Sequence, residues 1–178
     1  MSPSTPRRLT AGAAALAGAL TLGLGTLGTL GTLGSTAASA QALPALVRCT
    51  GGSFTMAVNA AAHGLGTLTN CSAPGHPGLT SGAITMSGLG TITDTLVTTT
   101  TTDKITWNTG EVTNLTEVRE FIPTVGNRVR EVGTGDSISG LFHPSNEEEF
   151  GRGTQSVNHA HDFTINNGLT VALFDGAL

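Results

Sequence analysis

Tyrosine is absent from this sequence, tryptophan occurs once and phenylalanine six times, so aromatic residues make up only 4% of the chain. Recognition surfaces and sugar clefts built on aromatic platforms draw on more than that. Charge is scarce too, at 11%, and twelve acidic residues outnumber eight Lys and Arg for a net charge of −4. A surface of that sign repels phosphate backbones, which excludes nucleic acid as a partner. Arg128 and Arg130 come nearest to a basic cluster, and Glu131 stands beside them. Past residue 40 no segment carries apolar residues at helical spacing, which leaves an all-β reading.

Cysteine is limited to Cys49 and Cys71. An even count in an exported chain reads as one disulfide, and closing a loop of this length stabilises by about 3 kcal/mol in the chain-entropy picture. Export itself is read from the first forty residues. Arg7 and Arg8 form a short basic start, residues 11–33 are uncharged, and Ala38-Ser39-Ala40 has the small-x-small pattern of a signal-peptidase site. Cleavage is expected after Ala40, with Ala40-Gln41-Ala42 as a second match two residues on. The Thr-Leu-Gly triplets of residues 26–34 are too few to stack as a solenoid and too glycine-rich to hold a helix in lipid. A secreted protein with one domain over residues 41–178 follows, with no transmembrane segment in that part. Its formal sequons at Asn70 and Asn114 matter only in a host that glycosylates them.

The organising stretch is Lys104-Ile105-Thr106-Trp107-Asn108-Thr109-Gly110-Glu111-Val112-Thr113. It predicts two strands about an Asn-Thr-Gly turn, where Asn108 and Gly110 best tolerate positive φ. Ile105 and Trp107 share a face, and Trp107 is assigned to the core. Strands are expected over residues 47–58 and 65–71, with at most a helical turn at 59–66 between them, and a Pro-rich loop over 72–78. Residues 84–86 and the Thr-rich 91–102 read as further strands, since β-branched residues favour extended backbone. Residues 115–125 and 128–132 pair about Gly126-Asn127, and 137–142 forms a short strand. Residues 143–153 read as a polar loop, and 157–165 pairs with 169–174 across Asn166-Asn167-Gly168. Eight or nine short strands without a helix predict an antiparallel β-sandwich, immunoglobulin-like or related.

The order of features resembles a family of small, uncharacterised secreted actinobacterial proteins. The residues that carry the resemblance are Cys49-Thr50-Gly51, a second cysteine before a Pro-containing loop, and Ser81-Gly82 ahead of a Thr-rich strand. Ile105-Thr106-Trp107-Asn108-Thr109-Gly110 and Ser139-Gly140-Leu141-Phe142 complete it. The resemblance implies an all-β domain and brings no catalytic residues.

Four groups invite a chemical reading. His159 and His161, two apart on a strand, share a face and can approach one zinc or copper ion, with Asp162 beside them and His143 or His76 as third ligands by type alone. Val157, Phe163 and Ile165 have the same parity, which favours two core histidines instead. His63, with Asp94 or Asp103, and Ser137 stand in the chain order of a serine-protease triad, yet Ile138 replaces the glycine that should follow the serine. Gly135-Asp136-Ser137 also looks like an esterase opening, and reads more simply as a turn. Glu147-Glu148-Glu149, with Asn146 ahead, lacks the alternating ligand pattern of a calcium loop and reads as solvated.

The expectation is therefore a non-enzymatic extracellular binding or structural module, with no cofactor and no catalytic residues. Its partners would be a cell-wall polymer or another extracellular protein, met by Thr-rich strands. The competing expectation is a small metal-binding protein or metal-dependent hydrolase using His159 and His161.

Overall fold

A computed structural model describes residues 44–158 and 161–176. The expected leader, both expected cleavage positions and His159 lie outside the described residues. Eight strands run in chain order: β1 (Ala45–Val58), β2 (Ala61–Ser72), β3 (Gly82–Ile92), β4 (Val97–Trp107), β5 (Val112–Pro123), β6 (Arg128–Gly140), β7 (Ser145–Gln155) and β8 (Asp162–Asp175). Each pairs antiparallel with the next, and β1 pairs with β8, so the sheet closes on itself. The all-β expectation holds, and the sandwich is corrected to an up-and-down barrel. Closure pairs Met56 with Phe163 and Cys49 with Val171, contacts more than a hundred residues apart that remove both free edges.

The alternation of each strand divides the inside of the wall from the outside. On β4, Val97, Thr99, Thr101, Asp103, Ile105 and Trp107 are buried, while Thr100, Thr102, Lys104 and Thr106 are exposed. The outward positions of β5, β6 and β7 include Glu120, Arg130, Glu148 and Arg152. A barrel in lipid needs a continuous apolar band there, and these charges interrupt it.

One end of the barrel is plugged by the central hairpin and its neighbours. Trp107 is 2% exposed; its Nε1–H donates to Thr113 Oγ1 at 2.9 Å, and Thr113 Oγ1 donates to the Leu141 carbonyl at 2.6 Å. Phe142 meets the Trp107 ring edge-on at 5.9 Å, and His76 meets Phe142 at 5.3 Å. Only Gly110 of the hairpin takes a positive φ, at 90°. Asn108 instead clamps the Pro-rich loop, because its Oδ1 accepts from the Thr80 and Ser81 amides and its Nδ2 donates to the Gly78 carbonyl. The Cys49–Cys71 disulfide joins directly paired residues of β1 and β2, and the Cys71 amide donates to the Thr80 carbonyl next to the clamped loop.

Several local expectations are overturned by long-range pairing. Residues 59–66 form a tight turn and the start of β2, with no helical turn. The expected strand over residues 91–102 is broken at 93–96, where Thr93 Oγ1 donates to the Leu96 carbonyl and closes a turn. The expected polar loop of residues 143–153 is almost entirely β7. Asn166-Asn167-Gly168 is not a hairpin turn but an irregularity within β8, opposite Arg152, where Gly168 has φ 63°. The turn that joins β7 and β8 lies upstream, and Val157 in it is 81% exposed, not on the inner face.

Candidate functional site

The chemically distinctive place is the middle of the barrel. On β5, Leu115, Glu117, Arg119 and Phe121 share the inward face, so two charged side chains stand between two apolar ones. Asp103 enters from β4, Glu131 from β6, and Glu147 and Glu149 from β7. None of the six is more than 3% exposed. Five carboxyls thus surround one guanidinium in an interior where an unpaired charge is costly.

Arg119 is the hub. Its Nη2 lies 2.7 Å from Asp103 Oδ2 and 2.5 Å from Glu117 Oε2. Its Nε donates to Glu149 Oε1 at 2.9 Å, Nη2 reaches Glu149 Oε2 at 3.3 Å, and Nη1 donates to Thr101 Oγ1 at 3.1 Å. The Phe54 ring lies under the guanidinium, 5.5 Å from its centroid. Burial alone would lower the Arg119 pKa, but Glu117, Glu149 and Asp103 more than offset it and hold the group cationic.

One cation does not satisfy five carboxyls. No N–H or hydroxyl among the described residues donates to Glu117 Oε1, Glu147 Oε2 or either oxygen of Glu131; Glu131 meets Glu149, and Glu147 meets Glu117, carboxyl to carboxyl, contacts that are hydrogen bonds only with a proton between them. Burial, and then the nearby Glu149 carboxylate, push the Glu131 carboxyl up to about 10. The same two causes raise Glu147 to about 8, and burial raises Glu117 well above the ordinary range against the pull of Arg119. Glu117, Glu147 and Glu149 can each bring one oxygen within 4.8 Å of the others.

Inward glycines make the space. A Cβ built at Gly133 would collide with Glu117 Oε1 and lie 3.2 Å from Glu131 Oε1, and one at Gly135 would lie 2.9 Å from Glu147 Oε2. Gly151 on β7 clears Glu131 Oε2 in the same way, at 3.1 Å.

Aromatic and aliphatic layers close both sides of this centre. Phe121 stacks on Phe163 at 4.2 Å and meets Phe54 edge-on at 6.3 Å toward the end that carries the β5–β6 turn. Leu115 and Ile105 lie toward the Trp107 plug.

The residues singled out from sequence do not assemble. His161 sits at φ 78° in the turn before β8 with its Nδ1 buried and unbonded, and among the described residues no metal-ligating group forms around it. His63 is exposed on β2, whereas Ser137 faces inward on β6 and Asp103 belongs to the Arg119 cluster. Ser137 does meet a histidine, His143, with Oγ and Nδ1 3.2 Å apart. Yet His143 Nδ1 is 2.9 Å from the Ser137 carbonyl, which can only accept, so Nδ1 carries the proton and is no base for the hydroxyl. Ser137 Oγ also accepts from the Ser145 amide at 2.8 Å. Gly135-Asp136-Ser137 is therefore straight strand, not a turn, and Asp136 accepts from Asn146 Nδ2 at 2.8 Å.

Glu147-Glu148-Glu149 is the expectation most altered. Only Glu148 is solvated; Glu147 and Glu149 point into the barrel. Alternation carried the signal: Glu147, Glu149, Gly151 and Gly153 fall on one face, as do Gly133 and Gly135 with Glu131.

These features define a class, an antiparallel eight-stranded up-and-down barrel with a buried carboxylate–arginine centre. Comparison with protein families, curated proteins and solved structures finds no match to the chain.

Proposed function

We propose that this chain is an exported, non-enzymatic barrel module that holds a hydroxyl-rich extracellular polymer, of the kind found in cell walls, against its outer wall. The observation that carries this reading is a belt of exposed hydrogen-bonding side chains in register across six strands. His63 of β2 pairs with Ser87 of β3, Ser87 with Thr102 of β4, Thr102 with Thr116 of β5, Thr116 with Asp136 of β6, and Asp136 with Asn146 of β7. Neighbouring strands are about 4.8 Å apart. A polymer laid across the strands thus meets a donor or acceptor at each step. Thr85, Lys104 and Asn114 form a second such row one pair nearer the Trp107 end.

Export accounts for the basic start, the small-x-small site and the disulfide together, and the resemblance to small secreted actinobacterial proteins points the same way. The reading as a metal-dependent hydrolase needs His159 and His161 to acquire further ligands, and among the described residues no group of three or more metal-ligating side chains includes His161.

Cosedimentation of the domain with insoluble peptidoglycan and with neutral polysaccharides tests the proposal. Thr102→Glu alone should reduce retention at least tenfold while far-ultraviolet circular dichroism and a cooperative melt show the barrel still folded. Equal retention by the variant and the parent would refute the belt as the binding surface, and release of soluble fragments would make the protein an enzyme.

A further inference from the structure

We propose that the centre of the barrel is a binding site for one hard divalent cation of calcium size, held by Glu117, Glu131, Glu147 and Glu149. This site is independent of the outer belt.

Charge supplies the first argument. Five buried carboxyls against one guanidinium leave four negative charges uncompensated when all are ionised, inside a wall that excludes water. A divalent ion removes half of that excess at a single point.

Geometry supplies the second. Glu117, Glu147 and Glu149 place one oxygen each within 4.8 Å of one another, the separation that opposite ligands reach about an ion with metal–oxygen distances of about 2.4 Å. Glu131 lies outside that group of three and points to the same place. It is 0% exposed, no N–H or hydroxyl among the described residues donates to either of its oxygens, and Oε1 turns toward the cleared space at Gly133 that Glu117 Oε1 also borders. A proton shared with Glu149 satisfies one oxygen of Glu131 and leaves the other without a partner, whereas a cation can engage several carboxylates together.

The donor set selects the ion. All the ligands are carboxylate oxygens, with no thiolate or imidazole among them, which suits calcium or manganese over zinc or copper. Magnesium keeps several waters in a strict octahedron, whereas calcium accepts a shell of protein oxygens, the kind of ligand that this layer between Phe121 and Leu115 offers. Enclosure between those layers means that the ion enters as the barrel closes, so uptake is coupled to folding.

The test uses the full chain, unfolded in denaturant with a chelator, refolded into CaCl2 or MnCl2, and desalted before metal analysis. Wild type should keep a single equivalent of manganese with the electron paramagnetic resonance spectrum of an immobilised ion, and Glu148→Gln, on the outer wall, should keep the same. Glu131→Gln and Glu147→Gln preserve side-chain volume and should lose it. A folded wild type that retains no metal, or variants that retain as much as wild type, would overturn the assignment. Should the variants not refold, the wild type still decides: its melting temperature must be higher after refolding in CaCl2 than in chelator, and equal values would overturn the site.

Discussion

Gly133 of β6 faces Glu117 of β5 so closely that no side chain can stand between them, and a methyl group there would also lie 3.0 Å from Glu149 Cβ. A missing side chain on one strand thus gives room to a buried carboxylate on the next. Gly133→Ala should cost about 1–3 kcal/mol through overpacking. Gly75→Ala, in open space, should be neutral. Denaturant midpoints of the two variants measure the difference, and equal midpoints would mean that the cluster yields freely.

Arg119 is the only cation in contact with Asp103, Glu117 and Glu149 among the described residues. Arg119→Met keeps much of the volume and removes the charge, and should cost about 3–5 kcal/mol at neutral pH because the carboxylates are left buried and uncompensated. The loss should be smaller at pH 5, where Glu117, raised well above the ordinary carboxyl range by burial, is the more fully protonated. A loss independent of pH would show that packing on Phe54, not charge, is what Arg119 supplies.

The pH dependence of the chelator-treated protein follows from the same groups. Asp103 from β4, Glu117 and Arg119 from β5, and Glu149 from β7 face the Glu131 and Glu147 carboxyls. Folding raises Glu147 from 4.5 to about 8 and Glu131 from 4.5 to about 10. The folded state therefore keeps protons that the unfolded chain releases near 4.5. Stability is greatest at or below that pH and falls as pH rises, by up to about 1.4 kcal/mol per unit for each group. The share of Glu147 is exhausted above about 8, while that of Glu131 continues to about 10. Thermal melts from pH 5 to 10 should show a monotonic decline, and a stability maximum near pH 8 would contradict it.

The disulfide closes a loop with a sequence separation of 22. Replacing Cys49 and Cys71 together by alanine should cost about 3 kcal/mol. Trp107 reports on it without a label. Buried at 2% exposure, it should emit in the blue and shift red on unfolding. The midpoint of that shift in denaturant should fall for the double variant.

Much of this was readable along the chain. Period-2 alternation in Val97 to Trp107, the Gly126-Asn127 turn and the Pro-rich loop rest on short stretches, and the pairing of Cys49 with Cys71 follows from there being only two cysteines. What misled was local chemistry taken at face value. Asn166-Asn167-Gly168 has the composition of a hairpin turn, but β8 continues through it because β7 and β1 flank the strand on both sides. Three consecutive glutamates have the composition of a solvated loop, but β6 and β8 pair with that segment, and alternation then sends two of the three inward.

Sequence thus suffices for the strand-forming character of the domain, its single disulfide and its buried tryptophan, because backbone propensity, alternation and cysteine count are properties of short stretches. Barrel rather than sandwich, and a charged centre rather than a charged loop, were settled only in three dimensions. Both depend on β1 meeting β8, a contact between the two ends of the domain. Until that contact closes the wall there is no interior to contain Glu131, Glu147 and Glu149, and no reason for Arg119 to lie among them.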